Sequence, residues 1–407
     1  MNKKLTEARR ARIGVFGFFV LCGFVMGLWA AGLPSLDERL GLGAARLGSV
    51  LLLISAGALV SMLAAGPLVD RLSSRRVCWV AGPVSALALL GPALSTGYGM
   101  LAGLAVLFGL GLGVTEVAMN AHSVEVERRY GRPIISAFHG AWSLGGAAAG
   151  ALTALALRAG ADAQALLVAA AVVVPFLFLP AAALLLPDPP ERPGPRPGPR
   201  RSGTVVGWWP LALLGLAAFA GHLAEGAAID WAALHARWVL DADPAAAPLA
   251  YTIFAVAMTA VRLLGDPIRA RLGSVRTIRL AGLLASCGYA LVLVAPVTGG
   301  LATVCAWTGW ALAGVGLATV VPVIFSAVGA AGGPVGKALA LVTACGYTGL
   351  LAGPAILGYI AEASSLPVAL IIPAVLSAVV ALAGVPSIRA LTAKTAPPAP
   401  ERVPAGD

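Results

Sequence analysis

The sequence predicts an all-α membrane protein of about twelve transmembrane helices, arranged as two pseudo-symmetric six-helix bundles. Three observations predict this fold class: the composition, the length of the apolar segments and a partial internal repeat. Hydrophobic residues make up 59% of the 407 residues and charged residues only 11%, with a mean hydropathy of +0.90. Because soluble domains carry about 25% charged residues, this composition excludes a soluble fold.

The apolar segments have the length of membrane spans, since a helix crosses the hydrocarbon layer in about 20 residues. Six segments precede a central proline-rich stretch, at 13–33, 47–69, 77–96, 98–120, 134–157 and 164–186. Six follow it, at 209–233, 248–265, 277–297, 300–322, 336–360 and 366–386. We therefore predict an N-terminal bundle over 1–186, a linker over 187–208, a C-terminal bundle over 209–390 and a disordered tail over 391–407.

The linker between the two sets of spans is rich in Pro, Gly and Arg. Its proline density forbids a helix, and we interpret it as an extended cytoplasmic tether. Its Arg residues are suited to contact anionic lipid headgroups, which makes membrane lipids an expected partner.

Positive charge is concentrated in alternate loops. Of the 28 Lys and Arg residues, all but five share a side with the N-terminus; the five are Arg39, Arg46, Arg158, Arg237 and Arg262. Cytoplasmic loops carry such an excess, so both termini are predicted in the cytoplasm. The abundance of Arg, Ala, Gly and Pro favours a bacterial source and hence the inner membrane. Because the charges lie in short loops between spans, the net charge of +10 does not indicate nucleic acid as a partner.

A charged loop motif recurs in the two halves, after the second span and after the eighth. When Asp70 is superposed on Asp266, Arg75 falls on Arg271. A carboxylate followed by Arg residues at a helix end can make charge-assisted hydrogen bonds to a neighbouring helix. We predict a cytoplasmic gate formed by Asp70, Arg71, Arg75, Arg76, Asp266 and Arg271. The alternative is that these are ordinary orientation charges.

The first copy of the motif, from Gly66 to Arg76, resembles the Gly-x-Leu-x-Asp-Arg-x-Gly-Arg-Arg loop signature of the major facilitator superfamily. Ser73 stands where that signature prefers Gly, and the basic pair is displaced by one residue. The resemblance implies a secondary transporter that works by alternating access, with its solute site between the repeats near the bilayer midplane.

Ionisable side chains inside spans are costly, about 2.5–3.5 kcal/mol on insertion scales, so each is a functional candidate. Glu116, in the fourth span, lies about nine residues before the loop charge Glu125, hence near the bilayer midplane, and Asn120 follows one turn later on the same face. A carboxylate there suits a group that takes up and releases a proton; the alternative is a structural hydrogen bond between helices. In the fifth span His139 and Trp142 face the same way.

Glu116, Asn120 and the fifth-span segment resemble the fucose-permease-like branch of the superfamily, whose members include proton-coupled sugar symporters. In that branch the corresponding positions line the solute and proton path. His139 and Trp142 stand where the sugar carriers have amides, so we assign no sugar. The seventh-span segment from Glu225 to Trp231, together with Asn120-Ala121-His122 and the fifth-span segment, resembles bacterial inner-membrane permeases of the YbjJ type, and this resemblance covers nearly the whole chain.

The seventh span places His222 and Glu225 on one face, and we predict that they line the same path. Asp230 and Trp231 are interpreted as an interfacial anchor. His222 and Glu225 lack further ligands for a metal site. The five cysteines contain no CxxC pair and indicate neither a metal site nor disulfides.

Two further charged positions are interpreted without a functional role. Arg262 is expected to snorkel to the interface and to pair with Asp266 at i+4. Asp37, near the outer end of the first span, is expected in a loop because Pro34 and Glu38 flank it.

The prediction for function is a proton-coupled secondary active transporter (a symporter) of a small solute, with Glu116 as the proton carrier. A drug or metabolite efflux permease that exchanges its solute for protons is the alternative. A membrane enzyme or sensor has no support, because no nucleophile–base set or metal cluster is evident. ATP coupling is disfavoured because a Walker-type loop is absent, and no cofactor is expected. We expect the partners to be a small-molecule solute, protons and lipids, and the protein to be a monomer.

Overall fold

The computed structural model describes the main chain of residues 3–131, 134–187, 207–330 and 335–395. It describes their side chains except those of 3–5, 265–270, 330, 335–337, 340 and 393–395. The secondary structure of these residues is entirely helical, which confirms the predicted all-α class. The linker residues 188–206 and the tail residues 396–407 lie outside the described residues.

The described part of the first half contains six helices. They are α1 (Lys3–Leu40), α2 (Gly43–Leu72), α3 (Ser74–Leu94, interrupted after Leu87), α4 (Tyr98–Tyr130), α5 (Ile135–Arg158) and α6 (Ala163–Ala183).

Six more helices follow in the described part of the second half. A run from Pro248 to Val294 divides at Gly273, whose φ of 73° breaks the helical path. The six are α7 (Trp208–Trp238), α8 (248–272), α9 (274–294), α10 (Ala302–Leu317, continued by Val320–Ala330), α11 (Val335–Ala363) and α12 (Leu366–Thr395). Eleven of the twelve helices are long and apolar enough to cross a membrane, and the apolar part of α8, Pro248–Leu264, is shorter.

The predicted spans all fall on helices, but several helices run further. α4 continues ten residues past the predicted span because Glu125 pairs with Arg128 and Arg129, at 2.6 and 2.8 Å, along its surface. It ends at Gly131, whose φ of 76° is the left-handed conformation of a helix cap. α12 continues to Thr395, beyond the predicted boundary at 390.

The expectation that Asp37 lies in a loop is wrong. α1 continues through Pro34 to Leu40, which places Asp37 in the closing turns of the helix. Its Oδ1 accepts hydrogen bonds from the main-chain N–H groups of Leu42 and Gly43, at 3.1 and 2.8 Å. The carboxylate therefore satisfies donors at the start of α2, which is a structural role.

Successive helices are antiparallel, so the molecule has two ends. We call the end at which α1 begins the basic face and the other end the opposite face. At the basic face, Arg12 Nη1 donates to the hydroxyl of Tyr130 at 2.9 Å. At the opposite face, Arg39 donates to the carbonyl oxygens of Ser95 and Pro92, at 2.7 and 2.6 Å.

Small residues let the helices pack closely. A Cβ atom at Gly145 of α5 would clash with the Val20 carbonyl of α1, and one at Gly109 of α4 would clash with the Ile54 carbonyl of α2. Close approach of this kind drives helix association in lipid. In the second half, α7 packs on α11 and α12, and α10 packs on the run containing α8 and α9. The halves meet where α2 packs on α11 and α5 on α8.

Candidate functional site

Charged contacts join the two halves at the opposite face. Arg237 Nε at the end of α7 lies 2.5 Å from Glu38 Oε1 at the end of α1. Glu362 Oε2 on α11 accepts a hydrogen bond from the main-chain N–H of Ala45 on α2, at 3.3 Å. These residues lie at helix ends, outside the predicted spans, and no motif in the sequence singles them out.

The same face is also closed by close helix packing. The hydroxyl groups of Ser49 on α2 and Tyr359 on α11 lie 3.0 Å apart. Beside them, a Cβ atom at Gly48 would lie 2.9 Å from the Cα of Gly358, so the two main chains touch without intervening side chains. The halves are therefore in direct contact on this side of the molecule.

Glu116 forms the first polar bridge between the halves inside the bundle. Its Oε1 on α4 accepts a hydrogen bond of 3.0 Å from the hydroxyl of Tyr347 on α11. Asn120 Nδ2 donates to the main-chain oxygen of Glu116 at 2.8 Å, so its amide is bound to its own helix in this structure. Cys22 of α1 lies within electrostatic range of Glu116. Among the described residues, Glu116 has no cationic partner.

Sequence reasoning missed Tyr347, because a single tyrosine in an apolar span carries no charge signal. Its ring lies 6.1 Å from the ring of His222 on α7. His222 Nδ1 is 2.9 Å from the carbonyl oxygen of Ala218, one turn earlier on the same helix. The structure thus brings Glu116, Tyr347 and His222 together from three helices, α4, α11 and α7.

Glu225, Arg262 and Ser143 form the second polar bridge. Arg262 Nη2 on α8 lies 2.8 Å from Glu225 Oε1 on α7, and its Nη1 donates to Ser143 Oγ on α5 at 2.8 Å. The side chains of Arg262 and Glu225 are 12% and 14% exposed. The interpretation that Arg262 snorkels outward is therefore wrong. Glu225 supplies the charge compensation that a buried guanidinium needs, and sequence spacing does not reveal this neighbour.

The fifth-span pair lies beside this second bridge. The ring of His139 packs edge-on against Phe19, with centroids 5.3 Å apart, and lies within electrostatic range of Arg262 and Glu225. Trp142 lines a small cavity between α5, α7 and α8; its other walls are Ser143, Ile229, Tyr251, Phe254, Ala255 and Met258.

The interpretation of Asp230 and Trp231 as an interfacial anchor is also wrong. Asp230 is 8% exposed and Trp231 is fully buried. The reason is that α7 packs against α11, α12 and the α8–α9 run, so the part of the helix that carries Asp230 and Trp231 lies inside the molecule. Asp230 lies within electrostatic range of Tyr251 on α8.

The predicted gate residues lie at the basic face. Asp70, Arg71, Arg76 and Arg271 are exposed there, and Arg75 is partly buried. The side chain of Asp266 lies outside the described residues. The pairing of the two loop motifs across the halves therefore remains a prediction.

His122, in the part of α4 beyond the predicted span, has a structural role. Its Nε2 accepts a hydrogen bond from the main-chain N–H of Leu186 at 3.0 Å, and its Nδ1 lies 2.9 Å from Ser74 Oγ. These bonds tie α4 to the start of α3 and to the segment that follows α6. Among the described residues, no group of three or more His, Cys, Asp or Glu side chains could hold a metal ion.

Comparison with known proteins identifies the family. The sequence profile of the Major Facilitator Superfamily matches residues 14–334. The chain is 35% identical over 353 residues to an uncharacterized MFS-type transporter of Yersinia pestis, covering 86% of this chain and 89% of the relative. It is 33% identical over 394 residues to the membrane protein MosC of Rhizobium meliloti, covering 94% and 90%.

Solved structures share the fold at low sequence identity. The D-xylose-proton symporter superposes with a TM-score of 0.74 at 15% identity, covering 91% of this chain and 95% of that one. The nucleoside transporter NupG superposes with a TM-score of 0.66 at 16% identity, covering 96% and 99%. The fucose-permease-like and YbjJ-like branches remain predictions. The chain belongs to the Major Facilitator Superfamily, and it is accordingly a multi-pass secondary transporter and not an enzyme.

Proposed function

We propose that this protein is a proton-coupled transporter of a small solute, and that Glu116 carries the coupling proton. The observation that carries the proposal is the Glu116–Tyr347 hydrogen bond, which joins α4 of one half to α11 of the other. A carboxylate that has only a neutral donor as partner can gain a proton without breaking an ion pair. Its protonation state can therefore bias the contact between the halves.

Alternating access would proceed by rocking of two six-helix bundles, the first ending near residue 186 and the second beginning near 209. The contacts at the opposite face, Arg237–Glu38 and Glu362–Ala45, would break when that face opens. The charged loops around Asp70 and Asp266 would hold the basic face closed in the other state. The solute path would include Asn120, His139, Trp142, His222 and Glu225.

We place the protein in a bacterial inner membrane as a monomer, with both termini and the basic face in the cytoplasm, as the positive-inside rule favours. The structural neighbours named for xylose–proton symport and for nucleoside transport favour a small polar solute and proton coupling. They do so by analogy of fold alone.

The test uses proteoliposomes loaded with the pH dye pyranine and challenged with a solute library. We expect at least one solute to change the luminal pH only when the protein is present. Acidification indicates symport, and alkalinisation indicates the alternative, exchange of the solute for protons. Glu116→Gln should abolish the pH change but retain exchange of radiolabelled solute between the two sides, because exchange needs no net proton movement.

Glu125→Gln is the matched control, because Glu125 lies on the same helix but only pairs with Arg128 and Arg129 at the surface. It should couple as the wild type does. Solute flux that is indifferent to pH, or proton coupling that survives Glu116→Gln, would refute the proposal.

A further inference from the structure

Asp230 of α7 is a buried carboxylate for which the proposed transport mechanism gives no role. It is 8% exposed, and within the described residues it makes no hydrogen bond and no ion pair. Removal of an ionised carboxylate from water costs several kcal/mol unless a cation or several hydrogen bonds compensate it. The buried group therefore needs a positive partner, which is either a cation or a proton.

The arginines nearby already have carboxylate partners. Arg262, the arginine in the apolar part of α8, pairs with Glu225, and Arg237, at the end of α7, pairs with Glu38. A hard metal ion binds several oxygen ligands, but the part of the chain that the structure describes contains no group of three or more His, Cys, Asp or Glu side chains that could hold one. A proton needs no further ligand, so it is the partner that these surroundings favour.

Other titratable groups on and around α7 do not compensate the Asp230 carboxylate. The described contacts bring to α7 Glu38 on α1, His139 on α5, Tyr251 and Arg262 on α8, Tyr289 on α9, and Cys345 and Tyr347 on α11. The helix itself carries His222, Glu225, His235 and Arg237. Among the described groups, Tyr251 is the one in electrostatic range of Asp230, and its hydroxyl carries no positive charge.

Tyr251 places this carboxylate beside the contact between the halves. A Cβ atom at Gly146 of α5 would clash with the Tyr251 hydroxyl, so the hydroxyl lies against the first half. Ile229, next to Asp230 in the chain, lines a small cavity together with Trp142 of α5. Separation of the halves at the opposite face would break these contacts and let water approach the carboxylate.

We propose that Asp230 is a second proton-binding site, and that closure of the opposite face is linked to its protonation. The proton comes from water at the opposite face and forms an O–H bond with a carboxylate oxygen, which leaves the buried group neutral. Loss of the proton restores a charge that only the hydrated, open state tolerates. Acidic conditions therefore favour the closed opposite face, and alkaline conditions favour its opening. This linkage adds a proton-dependent step to the proposed transport cycle, separate from the role of Glu116.

Infrared pH-difference spectra of the purified full-length protein in nanodiscs test whether Asp230 titrates. The wild type should show the carbonyl band of a protonated, buried carboxyl group that is lost as the pH rises. Carbon-13 in the aspartate carboxyl groups should shift part of this band, because Asp230 is the one buried aspartate among the described residues. Asp230→Asn should remove the shifted part. Asp241→Asn, a matched change at a side chain that is 97% exposed, should retain it.

Distance measurements between spin labels test the link to closure. Labels attached through non-natural amino acids at Thr96 and Val297 report the separation of the halves, since both residues are exposed at the opposite face. In the wild type, the population with the longer distance should grow as the pH rises. Asp230→Asn stays neutral at every pH, so it should keep the shorter distance in alkaline buffer. Asp241→Asn should respond as the wild type does.

The proposal is overturned if the wild type has no titrating band that is sensitive to labelled aspartate, or if Asp230→Asn has the same spectra as the wild type. It is also overturned if Asp230→Asn opens with pH as the wild type does. Asp230→Glu restores a carboxyl group and should recover both responses, which excludes a folding defect as the cause of their loss.

These outcomes are independent of the role of Glu116. Neither measurement needs a solute, and Glu116→Gln should retain the aspartate band. Solute flux that ignores pH would refute the Glu116 proposal and leave the titration of Asp230 standing, and the converse also holds.

Discussion

The carboxylates of Glu116 and Glu225 both lie near the contact between the halves, and they differ in their partners. Glu225 faces a guanidinium that is also held by Ser143, whereas the described partner of the Glu116 carboxylate is the hydroxyl of Tyr347. Protonation of Glu225 would leave a buried cation unpaired, but protonation of Glu116 breaks no described ion pair. The difference teaches that similar side chains on two helices of one bundle can have different roles, one holding a fixed charge and the other exchanging a proton.

The largest expected effect comes from breaking the charged bridge. Arg262→Gln alone should lower the free energy of unfolding by about 3–5 kcal/mol, because it leaves the Glu225 carboxylate buried without its cation. Adding Glu225→Gln should recover most of that loss. Unfolding titrations in detergent measure both, and equal losses in the single and double variants would show that the pair is not charge-coupled.

Glu116→Gln should not lower the free energy of unfolding as Arg262→Gln does. With no described cation to lose, the neutral amide should leave the free energy of unfolding unchanged or raise it by about 1–2 kcal/mol, because a buried carboxylate is costly to desolvate. The same titration compares it with Glu225→Gln, which leaves Arg262 unpaired and should destabilise the protein. If both variants destabilise alike, the contrast between the two bridges fails.

Tyr347→Phe removes the only described side-chain donor to Glu116. We expect a loss of about 0.5–1.5 kcal/mol, the net contribution of one hydrogen bond. The pH dependence of solute flux should also shift, since the hydroxyl contacts the proposed proton carrier. Tyr359→Phe is a control at the opposite face, where the hydroxyl meets Ser49. A flux profile that moves equally in both variants would argue against a special role for Tyr347.

The smallest stability effect is expected for the ion pair between Arg237 and Glu38. These side chains are 27% and 45% exposed, so a double-mutant cycle should give a coupling of about 0.2–1 kcal/mol. The coupling should weaken at high salt. Cysteine-accessibility labelling in the Glu38→Gln variant should nevertheless report a more open opposite face. A coupling as large as that of Arg262 with Glu225 would contradict the contrast between surface and interior.

The positions of the helices could be predicted from the sequence, but the contacts between their side chains could not. Hydrocarbon thickness fixes the span length, so the apolar runs located all twelve helices. The partners of Glu116 and Glu225 lie 231 and 37 residues away along the chain, and their meeting depends on how α11 and α8 are rotated in the packed bundle. Asp230 was misjudged for the same reason, since burial of α7 is decided by the helices that surround it.

The glycine seam between α2 and α11 has a mechanical consequence. At Gly48 and Gly358 the two halves touch through main-chain atoms alone. At these two positions the helices can separate without a change of side-chain rotamer, and their separation exposes little apolar surface. The energy barrier to opening and closing this contact is therefore low. A bulky aromatic residue at either glycine would hold the two helices apart and stabilise the conformer that is open on this side.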